Sequence, residues 1–204
     1  MKYRITIFQN FLAIALGGLM LTSCGGGEGE GGQSRNENAA TEVPQAAGPE
    51  SPVLVPGASA GAFKLDEPDS LILRQLGQPD YSDAAMGKAV LLWYTDTGEG
   101  HPLSIFTSRD MGNDETARIQ QIRVTSPVFE TAESIHVGST LTGIRDHYQL
   151  TPVETYEKEG ETYSVYRSDR GIAFEVGSDD SCTAIIIHHA GADVATYLPL
   201  RPAE

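Results

Sequence analysis

Residues 57–61 (GASAG) match the G-x-S-x-G pattern, in which a serine on a sharp strand-to-helix turn acts as a nucleophile. With Ser59 in that role, the chemistry requires a strand before the serine and a long helix after it. Pro56 interrupts the short apolar run before the motif, and Pro68 follows soon after it. Such patterns arise readily in linkers rich in Ala, Gly and Ser. We therefore interpret the stretch as part of a linker and predict no catalytic serine.

Five histidines are the remaining candidates for acid–base chemistry or metal binding. His188 and His189 are neighbours on a predicted strand, so their side chains should point to opposite faces. His136 and His147 lie at positions predicted to be exposed, and His101 lies in the turn sequence GEGHP. No H-x-x-x-H, C-x-x-C or H-E-x-x-H spacing occurs. The sequence therefore predicts no catalytic residue, metal site or cofactor. With 28 acidic residues in the chain, it does not exclude a pair of carboxylates at the separation that glycosidases use.

Cys24 stands where a covalent modification is expected. Lys2 and Arg4 precede an apolar stretch from Phe11 to Leu21, which is the layout of a secretory signal peptide. That stretch is shorter than the roughly 20 residues of a membrane-spanning helix. Residues 21–24 (LTSC) resemble the bacterial lipobox, which implies cleavage before Cys24, a diacylglycerol thioether on its thiol, and palmitate-type acylation of the new N-terminus. The alternative is an ordinary secreted protein, cleaved near residue 23.

The residues after Cys24 bear on the destination of the protein. Several acyl chains hold a protein on a membrane, whereas a single chain binds only marginally. Gly25 stands where inner-membrane lipoproteins of Gram-negative bacteria carry aspartate, so the resemblance implies the outer membrane. The acidic, glycine-rich run with Glu28 and Glu30 resembles the surface-export signals of one Gram-negative phylum, but plain linkers also carry such runs. We predict a lipid-anchored outer-membrane protein on the periplasmic face or the cell surface.

The charge of the chain excludes one class of partner. The sequence has 14 basic and 28 acidic residues, and residues 1–23 contain two of the basic residues and none of the acidic ones. The chain from Cys24 onward therefore has a net charge of −16 with neutral histidines. Such a surface repels nucleic acid and anionic membranes, so we predict no nucleic-acid partner.

Composition divides the chain into three parts: a signal peptide (residues 1–23), a tether (24–60) and a domain (61–204). The tether is rich in Gly, Glu, Pro and Ala and has too few large apolar residues to offset chain entropy, which predicts disorder. The third part has the length of one domain. Its single cysteine, Cys182, cannot form an internal disulfide, and we favour a buried core residue over a reactive thiol.

The first half of the predicted domain resembles the second half, which begins 72 residues later. Residues 63–79 (FKLDEPDSLILRQLGQP) correspond to residues 135–151 (IHVGSTLTGIRDHYQLT). Three later apolar stretches also correspond: 89–94 with 162–167, 103–106 with 172–176, and 118–124 with 183–188. We place the first repeat at about residues 61–130 and the second at about 131–200.

Each repeat begins with a predicted helix of about ten residues. The first is signalled by Asp66 as N-cap with Pro68 just inside the helix, and the second by Ser139 or Thr140. Alternating apolar residues then predict strands. The predicted fold class is α+β, a tandem repeat of one helix packed on a three- to four-stranded antiparallel sheet. One face of the second helix would carry Val137, Leu141, Ile144 and Tyr148.

Three features together resemble a known family. They are LGQP at the end of the first helix (residues 76–79), Trp93 and Tyr94 on the next strand, and VGSTLTGI at the start of the second helix (residues 137–144). These features are similar to the SmpA/OmlA (BamE-like) lipoproteins, whose tandem form is the fold of the β-lactamase inhibitor protein. Members with known roles bind proteins, and none of the matching residues is catalytic in them. The resemblance implies a protein-interaction module.

We therefore expect a non-enzymatic lipoprotein that binds another envelope or extracellular protein. Aromatic side chains are the interface candidates if they are exposed, and core residues between helix and sheet if they are not. These side chains are Trp93, Tyr94, Tyr156, Tyr163 and Tyr166. An alternative is a small-ligand-binding or weakly hydrolytic domain, in which His136, His147 and several carboxylates would converge in a pocket. A domain that serves only as a spacer is the third hypothesis.

Overall fold

The computed structural model of the protein describes residues 52–94 and 100–194. The predicted signal peptide, Cys24 and the predicted tether up to residue 51 lie outside the described residues. The described part contains two helices, α1 (Asp69–Leu76) and α2 (Leu141–Arg145). Its strands are β1 (Val53–Val55), β2 (Ser59–Ala60), β3 (Phe63–Lys64), β4 (Tyr81–Ala85), β5 (Lys88–Tyr94), β6 (Pro102–Asp110), β7 (Asp114–Val124), β8 (Glu130–Thr131), β9 (Thr151–Lys158), β10 (Glu161–Ser168), β11 (Ile172–Val176) and β12 (Cys182–His188).

Eight of these strands form one antiparallel sheet, the large sheet, in the order β4-β5-β6-β7-β12-β11-β10-β9. Each half is a meander of four consecutive strands, and the halves join through their last strands, β7 and β12. At that junction Ile122 lies opposite Ile187, and both side chains are fully buried. Pairing the two meanders removes two exposed strand edges, which would otherwise present unpaired backbone groups.

The remaining four strands form the small sheet, in the order β3-β2-β1-β8. The small sheet and both helices contribute to the same core as one face of the large sheet, which we call the helix face. Leu54 of β1, Ile72 of α1 and Ile144 of α2 are buried there against strand residues such as Ile105 and Phe174. Along each strand, side chains that point to the helix face alternate with side chains that point to the other face of the large sheet, which we call the opposite face.

The predicted α+β fold class is wrong, because strands dominate the described residues and the two meanders share a single sheet. The helices are also shorter than expected, with eight residues in α1 and five in α2. In α2, Gly143 lies inside the predicted helix, where glycine costs about 1 kcal/mol relative to alanine. Tyr148, the last residue of the predicted apolar stripe, is buried although α2 ends at Arg145.

The helix starts were predicted with mixed success. Thr140 is the N-cap of α2, and its side chain accepts a hydrogen bond from the Gly143 backbone N–H at 3.2 Å. Asp66, in contrast, is not the N-cap of α1 and has a φ of 64°. Pro68 occupies the N-cap position instead, without a side-chain cap. The proline imposes the start of the helix through its fixed φ, two residues after the position expected for the N-cap.

The folded domain begins earlier than predicted. The tether was expected to extend to Ala60, but β1 and β2 lie within it, and Leu54 and Ala60 are both buried in the core of the helix face. The backbone N–H of Gly57 also donates a hydrogen bond to the carbonyl of Gly171 at 2.9 Å. Composition did not indicate this, because the stretch is rich in Gly, Ala and Pro, and Leu54 is the one large side chain of β1 and β2 that is buried.

Candidate functional site

An apolar cleft of about 180 Å³ lies where β3 meets the ends of β6 and β7. Leu103 and Val124 of the large sheet contribute to it, and the segment after β7 supplies Val128 and Phe129. Phe63 of the small sheet completes the apolar lining. Val128 is 56% exposed at this position. The cleft is therefore an apolar surface that solvent reaches.

The two hydroxyl groups at the cleft are used to hold its own backbone. Thr125 donates a hydrogen bond from Oγ1 to the carbonyl of Pro102 at 3.0 Å. Ser126 Oγ accepts a longer hydrogen bond, 3.5 Å, from the backbone N–H of Val128. These bonds fix the segment that presents Val128 and Phe129. The arrangement suits an apolar group and offers little for the orientation of a polar ligand.

Two of the predicted interface aromatics belong to the core. Trp93 is only 4% exposed, and its indole N–H donates to the carbonyl of Gly77 at 3.3 Å. Tyr166 packs against the core of the helix face, with the Arg145 guanidinium 5.5 Å from its ring centre. Tyr94 differs from both, because it is 44% exposed at the end of β5. Of these three residues, only Tyr94 presents a large part of its side chain to solvent.

The other two aromatics form a stacked pair. Tyr156 and Tyr163 lie opposite each other on β9 and β10, with ring centres 5.4 Å apart and planes 17° apart. Tyr156 packs against the apolar cluster of the opposite face. Its hydroxyl oxygen is buried beside the carboxylate of Glu175. Burial raises the pKa of Tyr156, and the negative charge of Glu175 raises it further.

A buried ion pair also lies on the opposite face. Arg123 of β7 donates two hydrogen bonds to the carboxylate of Glu175 on β11, at 2.8 and 3.3 Å. Thr183 Oγ1 donates to the same carboxylate at 3.2 Å. The sequence pattern did not indicate this pair, because the two residues are 52 positions apart and β7 carries other charged residues besides Arg123. Glu175 is the only charged residue of β11, a strand that is buried throughout, and such a lone charge is the signal that could have drawn attention to the pair.

The alternative hypothesis placed His136 and His147 together in a pocket. His147 is exposed, while half-buried His136 has its Nδ1 2.7 Å from the carbonyl of Val137. Neither residue lines the apolar cleft described above. Among residues 52–94 and 100–194, no cluster of three or more His, Cys, Asp or Glu side chains could hold a metal ion. Ser59 lies in the two-residue strand β2, which turns into β3 and not into a helix, so it lacks the setting of a nucleophile elbow.

Comparison with known proteins identifies no family for this chain and one weak structural similarity. No family model matches the sequence, and no characterised protein matches it. One similar solved structure is that of an extracellular protein containing an SCP domain from Bacillus anthracis strain Ames, with a TM-score of 0.40 and 8% sequence identity. The match covers 61% of this chain and 44% of that protein, so it spans less than half of the latter. Neither helix in the described residues is long and apolar enough to cross a membrane.

Proposed function

We propose that this protein is a lipid-anchored lipoprotein of the bacterial envelope whose β-rich domain binds another envelope or extracellular protein. The exposed apolar cleft beside Val128 is the observation on which the interaction depends. Exposed apolar surface rimmed by polar residues is a common feature of protein-binding sites. The lipid anchor depends on Cys24 and the signal-peptide layout before it.

The size of the cleft favours a protein partner. Its volume of about 180 Å³ is below the roughly 300–1,000 Å³ that is typical of small-molecule sites. A single apolar side chain fills a depression of this size, and such anchors contribute most of the binding energy in many interfaces. The partner should therefore insert one aliphatic or aromatic side chain against Phe63 and Phe129.

Charge adds a second property of the partner. The chain from Cys24 onward has a net charge of −16, so its field attracts proteins with a basic surface and repels acidic ones. Rim charges of this kind act mainly on the association rate, which falls as salt screens them. We expect the complex to form faster at low ionic strength, while the apolar anchor determines its lifetime.

Replacement of Cys24 tests the anchor. In cells that express the full chain, the Cys24→Ala variant should lose incorporation of labelled palmitate and move from the membrane fraction to the soluble fraction. The wild-type chain should carry the label and stay with the membrane. An unlabelled wild-type chain that fractionates as a soluble protein would overturn the anchor.

Substitution at the cleft tests the interaction separately. Val128→Glu places a charge at an exposed position, so the domain should fold normally while the partner's apolar side chain is excluded. Val153→Glu is the matched control, because Val153 is an exposed valine on β9 at the edge of the large sheet. Capture from cross-linked cells should recover a stoichiometric protein with the wild type and Val153→Glu, but not with Val128→Glu. Equal recovery with both variants would remove the cleft from the proposal.

A further inference from the structure

A second cavity, of about 300 Å³, lies on the opposite face of the large sheet. Its lining includes Phe106 of β6, Gln121 of β7 and His188 of β12, which are three adjacent strands. Lys88 and the segment 192–194 contribute further walls. This cavity contains buried polar side chains whose hydrogen-bonding capacity is not fully used by the described residues.

Gln121 presents an unpaired acceptor to this cavity. The side chain is 4% exposed, and its amide N–H donates a long hydrogen bond of 3.5 Å to the carbonyl of Asp193. Rotating the amide by 180° would place two oxygen atoms together, so the carbonyl of Asp193 fixes the orientation. The amide Oε1 is then buried without a partner. An unsatisfied buried acceptor is costly, which points to a group that the described residues do not supply.

His188 presents a second unpaired acceptor. The side chain is 1% exposed, and its Nδ1 lies 2.9 Å from the carbonyl of His189. Since a carbonyl can only accept, Nδ1 must carry a proton. Burial lowers the pKa of His188, although the nearby carbonyls of His189 and Ile172 oppose this, so the imidazole is neutral near pH 7. Nε2 therefore carries a lone pair, and no described residue donates a hydrogen bond to it.

The register of the sheet brings these two acceptors together. Gln121 and His188 are directly opposed on β7 and β12, and Gln121 is also opposed to Phe106 on β6. Opposed residues of antiparallel strands have Cα atoms about 4.5–5.5 Å apart and side chains on the same face. The cavity therefore combines two neighbouring acceptors with an aromatic ring beside them.

We propose that this cavity binds one sugar ring, with two neighbouring hydroxyl groups donating to Gln121 Oε1 and His188 Nε2 and the apolar side of the ring against Phe106. The cavity volume is at the lower limit for small-molecule sites, which suits a single ring. Two acceptors repel a carboxylate or a phosphate, and the wall carries one charge of each sign, on Lys88 and Asp193, so it favours neither an anion nor a cation. A neutral molecule with vicinal donors satisfies both atoms.

Free monosaccharides and the terminal residues of a glycan share this chemistry. Saturation-transfer-difference NMR on the detergent-solubilised protein, with glucose, galactose, mannose and N-acetylglucosamine each as the probe, tests the cavity. At least one sugar should show saturation transfer and bind with a measurable affinity. If one does, a short oligosaccharide ending in that sugar distinguishes the two sources: tighter binding than the free sugar indicates a glycan, and equal binding indicates the monosaccharide.

Substitution of Gln121 makes the assignment specific. Gln121→Met keeps the length of the side chain and removes the acceptor, so the affinity should fall by about two- to tenfold, the range of one net hydrogen bond. Gln149→Met is the control, because Gln149 is exposed and does not line the cavity. Its affinity should equal that of the wild type. No saturation transfer with any of the four sugars would overturn the proposal and leave water as the partner of the two acceptors. Binding that Gln121→Met leaves unchanged would equally overturn it.

Discussion

Burial and immediate hydrogen-bond partners determine the pKa values and the roles of single side chains in this domain. Burial raises the pKa of the Cys182 thiol to about 12, so the residue is a core side chain, as the sequence favoured, and not a nucleophile. Trp93 is likewise a core residue, and Tyr166 is partly buried against the core. An aromatic residue in an apolar strand pattern fits both a core and an interface. Sequence alone cannot separate these roles, since exposure depends on which strands are neighbours.

Glu133 should make the stability of the domain depend on pH in acid. The Tyr148 hydroxyl donates to its carboxylate at 2.8 Å and the Arg170 guanidinium at 3.1 Å, and these bonds lower the pKa of Glu133 from 4.5 to about 2. The stabilisation is therefore complete above pH 4.5 and is lost as pH falls to about 2. Urea titrations should show a steeper loss in the wild type than in Glu133→Gln over this window. The exposed variant Glu130→Gln should follow the wild type, and identical profiles for all three would contradict the account.

The buried pair of Arg123 and Glu175 should be costly to break. Removing one partner leaves the other charge buried and uncompensated, so Arg123→Met should lower the free energy of unfolding by about 3–5 kcal/mol. The exposed pair of Arg109 and Glu115, 3.7 Å apart, provides the control. Arg109→Met should change stability by less than about 1 kcal/mol. The double variant Arg123→Met/Glu175→Leu should recover much of the loss; failure to recover any would mean that packing, not charge, explains the cost.

At the level of elements, the sequence was most informative where apolar residues alternate. Stretches 89–94, 103–106, 118–124, 162–167, 172–176 and 183–188 all lie in strands of the large sheet. The strands β4 and β9 were not identified individually because they carry mainly small or polar residues and form the two edges of that sheet. The pairing of β7 with β12, which joins the two meanders, was also not predictable, because local sequence patterns do not encode contacts between distant strands.

Gly171 should be required for the contact between the β1–β2 turn and the large sheet. A Cβ atom there would lie 2.5 Å from both the Gly57 Cα and the His188 carbonyl oxygen, and its φ is 87°. Gly160 has a similar φ of 83°, but nothing lies within 4 Å of its would-be Cβ. Gly160→Ala should therefore destabilise by about 1–2 kcal/mol, through the left-handed conformation alone. Gly171→Ala should destabilise by several kcal/mol in urea unfolding, since the backbones must also move apart. Equal losses of stability in the two variants would show that the close contact at Gly171 does not contribute.

At the scale of the molecule, the described domain combines two separate surfaces with different chemistry. The apolar cleft suits a side chain of a protein partner, and the cavity beside Gln121 suits a neutral ligand with hydroxyl donors. Neither could be located from the sequence, because their lining residues come from strands that are far apart in the chain. The alternative hypothesis, in which His136 and His147 converge in a pocket, likewise depended on contacts between distant residues, and neither histidine lines the cleft or the cavity.

The most direct test of the central proposal is photo-cross-linking in intact cells from a benzophenone amino acid placed at position 128. The same group at position 153 is the control, since both positions carry exposed valines. We predict a discrete adduct of defined mass from position 128 only, with a partner whose cross-linked residue lies next to an apolar side chain. No adduct from position 128, or the same adducts from both positions, would contradict the assignment of this domain as a protein-binding module.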